Sequence, residues 1–488
     1  MTTPQSPTRN PLFWYWSSAS AAFGIKNNAF SYLLLPFTTQ VLGMPGYVAA
    51  SALGVAMLWD AVSDLILGHW SDKTSSRLGR RHPFMYAALI LLPLSFWGMF
   101  NPVMEMTDDL MFWYVLVFAI LIRTSTTLVE VPSVAQLPEL VSQYEGRSEW
   151  LSMRHAFGWL GGNGLHTINF FLWVGHYGMS VHTGYAIYAW VGATLIAIAI
   201  LISSLGTQKY FAALPRPEKS ESDNNLWAVL VHAFRELVQS LANKNFAVLF
   251  FNGLLTGIAG GMLAALYLYN TNYFFGFSGT QIAMTGVFVL VSPLISIALI
   301  PPIGRIFSKR QIAIFAISCF IFLTPVPYLL FLIGFWPAMG SWLSLFFYSA
   351  FIVIEVVCLI INGVMLDSMM ADVVEDSEID TSRRSEGLFY ATRGFAAKAF
   401  SAGGIFLAGI IVSIVGMESF VTAADMSHDH RVLLTSWFLP IYCGLHLSAI
   451  VLLMFYRIQK DTHEQNLATL AERKTVSDVS ASVPVAPI

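Results

Sequence analysis

Two aspartates one helical turn apart inside an apolar stretch are the first residues here whose placement calls for chemistry. Asp60, Ser63 and Asp64 stand at i, i+3 and i+4 in LWDAVSDLILGHW, so on a helix all three share one face. An ionised carboxylate among apolar residues costs several kcal/mol unless it meets water, a cation or a partner. Two of them a turn apart also repel. Carboxylate and hydroxyl oxygens are the ligands hard cations prefer, so a small monovalent cation or a proton held there relieves both problems. Pairing with a buried Lys or Arg is the structural alternative. A further acid, Glu130, follows Arg123 by seven residues, two turns along one face. Arg123 is either its neutralising partner or a ligand for a solute.

Side chains so placed need long apolar elements around them. The 488-residue chain is 56% hydrophobic and only 11% charged, too few charges for the surfaces of soluble domains. Its apolar residues come in long runs rather than in the alternation of a β-barrel. We read about twelve spans, at 13–42, 47–70, 83–103, 110–137, 151–176, 183–205, 245–275, 281–304, 311–334, 340–366, 386–416 and 432–457. The longest polar stretch, TQKYFAALPRPEKSESDNN, divides them into six and six. Five basic residues lie in spans: Lys26, Arg123, Arg154, Arg393 and Lys398. Of the 26 Lys and Arg only Arg431 falls in a loop after an odd-numbered span, which places both termini and the linker in the cytoplasm. The expected organisation is a cytoplasmic segment 1–12, a bundle 13–205, a linker 206–244, a second bundle 245–457 and a partly disordered cytoplasmic tail 458–488.

Other chemistries leave no trace. Cys319, Cys358 and Cys443 lie in apolar runs without CxxC spacing, and no GxSxG, Walker A or HExxH pattern occurs. The first twelve residues lack the apolar core of a removable signal peptide. A net charge of −3 gives no bias towards nucleic acid. His428 and His430 beside Asp425 and Asp429 read as a solvated loop, His166 as a satisfied core histidine, and the glycines of 157–164 and 253–261 as close helix packing or hinges. No enzyme, cofactor or resident metal is expected.

Four segments carry a resemblance. WDAVSDLILG (59–68) resembles the second helix of the glycoside–pentoside–hexuronide:cation symporter family (melibiose-permease-like) of the major facilitator superfamily, with Asp60 and Asp64 on the cation-binding acids, Ser63 where Asn is common and Leu65 in place of Pro. Gly68, Asp72, Arg80 and Arg81 resemble the superfamily's cytoplasmic loop motif, which we read as structural or gating. Glu130-Val131-Pro132, Pro138-Glu139-Leu140, Arg147 and Arg154 form the second match, and put Glu130 and Arg154 on the family's sugar ligands. Val134 stands where the family has a stacking aromatic. In 371–400, Glu386 and Lys398 keep the family's spacing, so Lys398 falls on the lysine near the cation site, with Asp60 or Asp64 as its expected neighbour. The acidic run Asp372 to Asp380 reads as solvated cytoplasmic charge. In span 1, Asn27 and Asn28 fall near a sugar-binding pair, with Lys26 as a charge partner for an acid of span 2.

The resemblance implies an all-α major facilitator fold of about twelve transmembrane helices in two six-helix bundles. It implies a monomeric, multi-pass inner-membrane symporter that couples Na+ or H+ to a small solute, a sugar or sugar acid, with the lipid bilayer and no nucleic acid as partner. Five basic residues in the spans against Asp60, Asp64, Glu130 and Glu355 point to a slightly basic cavity suited to a uronide. The rival readings are a same-fold transporter of a lysolipid or other amphiphile, and a non-transporting membrane sensor.

Overall fold

A computed structural model describes residues 10–458 except 75, 103–105, 142–143, 213–230, 232–233, 236–237 and 382–385; the side chains of 72, 144–148 and 380–399 lie outside the described residues. The chain is all-helical, with no strand among the described residues. Twelve long helical elements follow in order: α1 (11–41), α2 (Gly46–Lys73), α3 (His82–Phe100), α4 (Asp108–Leu140), α5 (144–172), α6 (His182–Ala212), α7 (Lys244–Phe274), α8 (Gly279–Ile306), α9 (Lys309–Leu332), α10 (Trp342–Thr381), α11 (Glu386–Val415) and α12 (His428–Met454). Among the described residues nine of these are long and apolar enough to cross a bilayer; α1, α5 and α11 complete the set. Several starts are set by local chemistry. Ser278 with Gln281, Ser308 with Gln311 and Ser427 with His430 form capping boxes at α8, α9 and α12, which satisfy otherwise orphaned N–H groups.

The helices form two bundles of six. In the first, α1 packs on α5 and α6, α2 on α4, and α3 on α4 and α6; in the second, α7 packs on α11 and α12, α9 on α10 and α12, and α8 on α10. The bundles meet along α2 and α11, α5 and α8, and α1 and α7. Glycines permit the closest approach: a methyl built on Gly24 of α1 would overlap the Gly158 carbonyl of α5, and small residues at such crossings gain packing that larger ones forbid. The glycines at 157–164 therefore do pack helices, as their sequence suggests.

Two departures bear on function. α10 runs for 40 residues, roughly 60 Å at 1.5 Å per residue, twice the ~30 Å hydrocarbon layer. The acidic run expected to be solvated continues this helix. Asp372 is buried, and both its carboxylate oxygens accept from Lys309 Nζ, at 2.7 and 2.9 Å. Secondly, α1, α5 and α7 contain π-helical turns, at Ala29–Leu33 and Phe37–Val41, at Leu160–Gly164 and at Tyr269–Phe274. Such turns often mark functional sites because they re-aim side chains.

Candidate functional site

The first polar cluster lies inside the N-terminal bundle. Packing of α2 on α4 brings Asp60 against Arg123 and Thr127. Asp60 is 1% exposed. Its Oδ2 lies 3.3 Å from Arg123 Nη1, and Thr127 Oγ1 donates to its Oδ1 at 3.5 Å. Ser63 Oγ donates to the Asp60 carbonyl at 3.0 Å and lies 3.2 Å from the Thr127 hydroxyl. The Arg123 guanidinium stacks on Phe30 of α1 at 4.0 Å. Arg123 therefore closes on Asp60 by direct contact, while Glu130 and Asp64 also act on its charge. The sequence leaves Arg123 as a partner of Glu130 or a solute ligand, since contact between α2 and α4 is invisible in local spacing. Asp64 is half-buried one turn further along α2, and Lys26 is fully buried on α1.

Glu130 is half-buried and acts on the charge of Arg154 as well. Arg154 Nη2 donates to Ser133 Oγ at 3.0 Å, and its guanidinium lies 4.8 Å from the Trp16 ring and 5.1 Å from the Phe23 ring. Arg154 Nη1 and Arg123 Nε are buried without a hydrogen-bond partner. Buried donors without a partner are costly. Asn28 Nδ2 donates to Asn163 Oδ1 at 3.0 Å, whereas Asn27 is exposed. Lys398 lies outside the residues with described side chains, as does Asp72. Arg80 and Arg81 both reach Glu139 Oε1, at 2.5 and 2.8 Å. Gly68 faces Val131 of α4. Glu139 was legible only as part of a motif; its role as the anchor of both arginines is set by the fold.

The second site is a cavity of about 510 Å³ between the bundles. α1 and α5 line it from one side, and α7 to α12 from the other. Tyr32, Asn163 and Asn270 enter it from three of the π-helical turns. Tyr32, His166 and Tyr267 form an aromatic corner, with Tyr32 5.3 Å from His166 and 5.6 Å from Tyr267. His166 is not a satisfied core residue: its Nδ1 has no hydrogen-bond partner, and it lines the cavity. Among the described lining residues Glu355 is the one Asp or Glu, and no Lys or Arg occurs. Of the five basic residues behind the expectation of a basic cavity, Lys26, Arg123 and Arg154 are buried within the N-terminal bundle and are not among the described lining residues, while Arg393 and Lys398 lie outside the residues with described side chains. None of Asp60, Ser63, Asp64, Asn27, Asn28, Glu130, Arg123 and Arg154 is among the described lining residues. Asn28 reaches the cavity only through Asn163.

Comparison with known proteins fits this architecture. The family described as MFS/sugar transport protein matches residues 15–460. The chain belongs to the MFS/sugar transport family. The family is one of multi-pass membrane transporters, not of enzymes. A protein of Synechocystis sp. described as an uncharacterized symporter is 34% identical over 154 residues, 30% of this chain and 28% of that protein; the match thus spans little more than a quarter of the relative's length. Among solved structures, the nucleoside transporter NupG aligns with a TM-score of 0.59 at 15% identity, over 91% of this chain and 100% of that one. A bacterial homologue of the lysosomal transporter Spinster, inward-facing, gives 0.61 at 13% identity over 95% and 99%. The inward-open xylose transporter XylE of E. coli gives 0.58 at 12% over 94% and 98%. These likenesses establish the fold.

In this MFS/sugar transport protein the bundles are tied at the end carrying the loops after odd-numbered helices. Tyr273 Oη donates to Gln40 Oε1 at 2.7 Å, Gln40 Nε2 donates to the Met417 carbonyl at 2.8 Å, and the Thr39 and Tyr269 hydroxyls bond directly. Arg431 fixes the C-terminal side of this seal by donating to the carbonyls of Phe274, Ala423 and Met426. The cavity extends towards the opposite end, where Leu249, Phe250 and Leu366 line it.

Proposed function

We propose that the protein is a secondary active symporter of the glycoside–pentoside–hexuronide:cation type, coupling inward movement of Na+ or H+ to uptake of a sugar-like solute by alternating access. The observation that carries this is the buried Asp60 carboxylate, held by the Arg123 guanidinium and the Thr127 hydroxyl, with a second acid one turn away. A cation entering between Asp60 and Asp64 competes with Arg123 for Asp60. Arg123 then turns its charge towards Glu130, the other carboxylate in its field. That exchange alters α4 and, through Phe30, α1, whose next residues reach the cavity at Tyr32. Cation and solute thus bias the same bundle, which is coupling in free-energy terms. The basic-residue asymmetry supports an odd end that faces outwards, and with that orientation the sealed state opens to the cytoplasm. A potential of 100 mV adds about 2.3 kcal/mol per charge carried inwards.

Detergent-solubilised protein tests this through solute affinity measured with and without Na+ at several pH values. The proposal expects one of the two cations to tighten binding and Asp60→Asn or Asp64→Asn to abolish that effect. Equal affinity with and without either ion contradicts it. The apolar part of the lining, with Leu249, Phe250, Phe320 and Phe351, favours a second reading in which the solute is an amphiphile. Tighter binding of lysolipid than of any glycoside would select it.

A further inference from the structure

Tyr348, Glu355 and Asn362 of α10 are seven residues apart, so they form one stripe along the helix; all three line the cavity. Asn362 is 4% exposed and its Oδ1 has no hydrogen-bond partner. Across the cavity, Asn270 is 1% exposed and neither of its amide atoms has a partner. A polar atom buried in this way is unfavourable until something in the cavity bonds it. Facing Glu355 are Thr324 and Tyr328 of α9 and Tyr442 of α12. On its own helix Tyr348 and Cys358 face it, and His446 lies on the same wall. These groups are hydroxyls, rings and a thiol, and none of them is a standing cation.

We propose that the α10 stripe together with Asn270 grips the polar head of the solute, and that Glu355 makes the cavity select neutral or amino-bearing polyols over uronates. The inference rests on the reading of this cavity as the solute site and adds the substrate class. A carboxyl accepts from two adjacent hydroxyls or from an ammonium, and the two amides can each donate and accept. The tyrosine rings supply apolar faces for a sugar ring. A uronate would bring a second carboxylate into a low-dielectric wall without a Lys or Arg among its described residues, and like charges placed together are strongly disfavoured.

Two linked measurements on the purified full-length protein test this. The first is labelling of buried carboxyls by a hydrophobic carbodiimide in mildly acidic buffer, where the carboxyl is protonated and reactive, read by mass spectrometry, with p-nitrophenyl glucoside or p-nitrophenyl glucuronide as protectant. The second is equilibrium binding of the same two probes in mildly alkaline buffer, where carboxyls are ionised. Glu355 should be labelled, and the glucoside should protect it. Wild type should bind the glucoside about tenfold or more tightly than the glucuronide, with the ratio near unity in E355Q and retained in E355D. E355D also guards against misfolding of E355Q. No labelling at Glu355, a glucuronide that binds as well as the glucoside, or an unchanged ratio in E355Q each overturns the selection. Labelling that neither sugar prevents removes the cavity's role as a sugar site, and this inference with it. A glucuronide that protects better sinks the charge selection alone.

Discussion

Arg123 sits where two readings of one carboxylate meet. As a counter-ion it stabilises Asp60; as a competitor it sets the affinity of any cation that replaces it. Replacing it by Gln removes the guanidinium from a buried carboxylate, and breaking a pair in this way costs about 3–5 kcal/mol. Arg123→Gln should therefore lower thermal stability sharply, and Asp60→Asn in that background should recover a large part of it. A double-mutant cycle read by melting temperature should give a coupling of roughly 1–3 kcal/mol; additive effects would show that the contact carries little. The shared face of Asp60, Ser63 and Asp64 was legible because i, i+3, i+4 spacing is local. The choice of Asp60 by Arg123 was not, because it depends on how α2 packs on α4. The place of His166 is hidden from the sequence for the same reason: a lone histidine in an apolar run says nothing of the cavity beside it.

At the scale of the helices, the twelve elements were legible almost to their ends, since apolar runs of bilayer length leave little choice. Their ends are hidden where polar residues follow helix rather than loop. The 372–380 segment carries enough acids to read as solvated, yet Lys309 neutralises Asp372 and lets α10 continue. Asp372→Asn should cost about 1–2 kcal/mol, less than a fully buried pair because Lys309 is about a third exposed. A melting temperature equal to wild type would show that α10 extends without the pair. The π-helical turns had no sequence signature that we could read. Their effect was visible only in what they aim, Tyr32, Asn163 and Asn270, at the cavity. The α1–α5 crossing gives a cleaner test. Gly24→Val must push α1 off α5, so the variant should lose monodispersity in detergent, and retention of wild-type behaviour would mean that the close approach is dispensable.

For the whole molecule, the seal at the odd end holds one of the two states that alternating access requires. Gln40 spans it with one bond from Tyr273 and one to Met417. Gln40→Ala should loosen the seal and raise the labelling rate of a cysteine placed at Asn270 from the odd side; an unchanged rate would show that the seal does not depend on this residue. The bundle layout was legible from span count and charge asymmetry, whereas the cavity was not, because its lining gathers residues from eight helices. The central claim is that a cation held by Asp60 and Asp64 drives solute inwards. Radiolabelled uptake into proteoliposomes under imposed Na+ or H+ gradients, across glycosides and uronides, tests it most directly. The account predicts accumulation of a glycoside above its external concentration with one of the two gradients, and its loss in Asp64→Asn with exchange of solute retained. Accumulation by Asp64→Asn equal to that of wild type would contradict it.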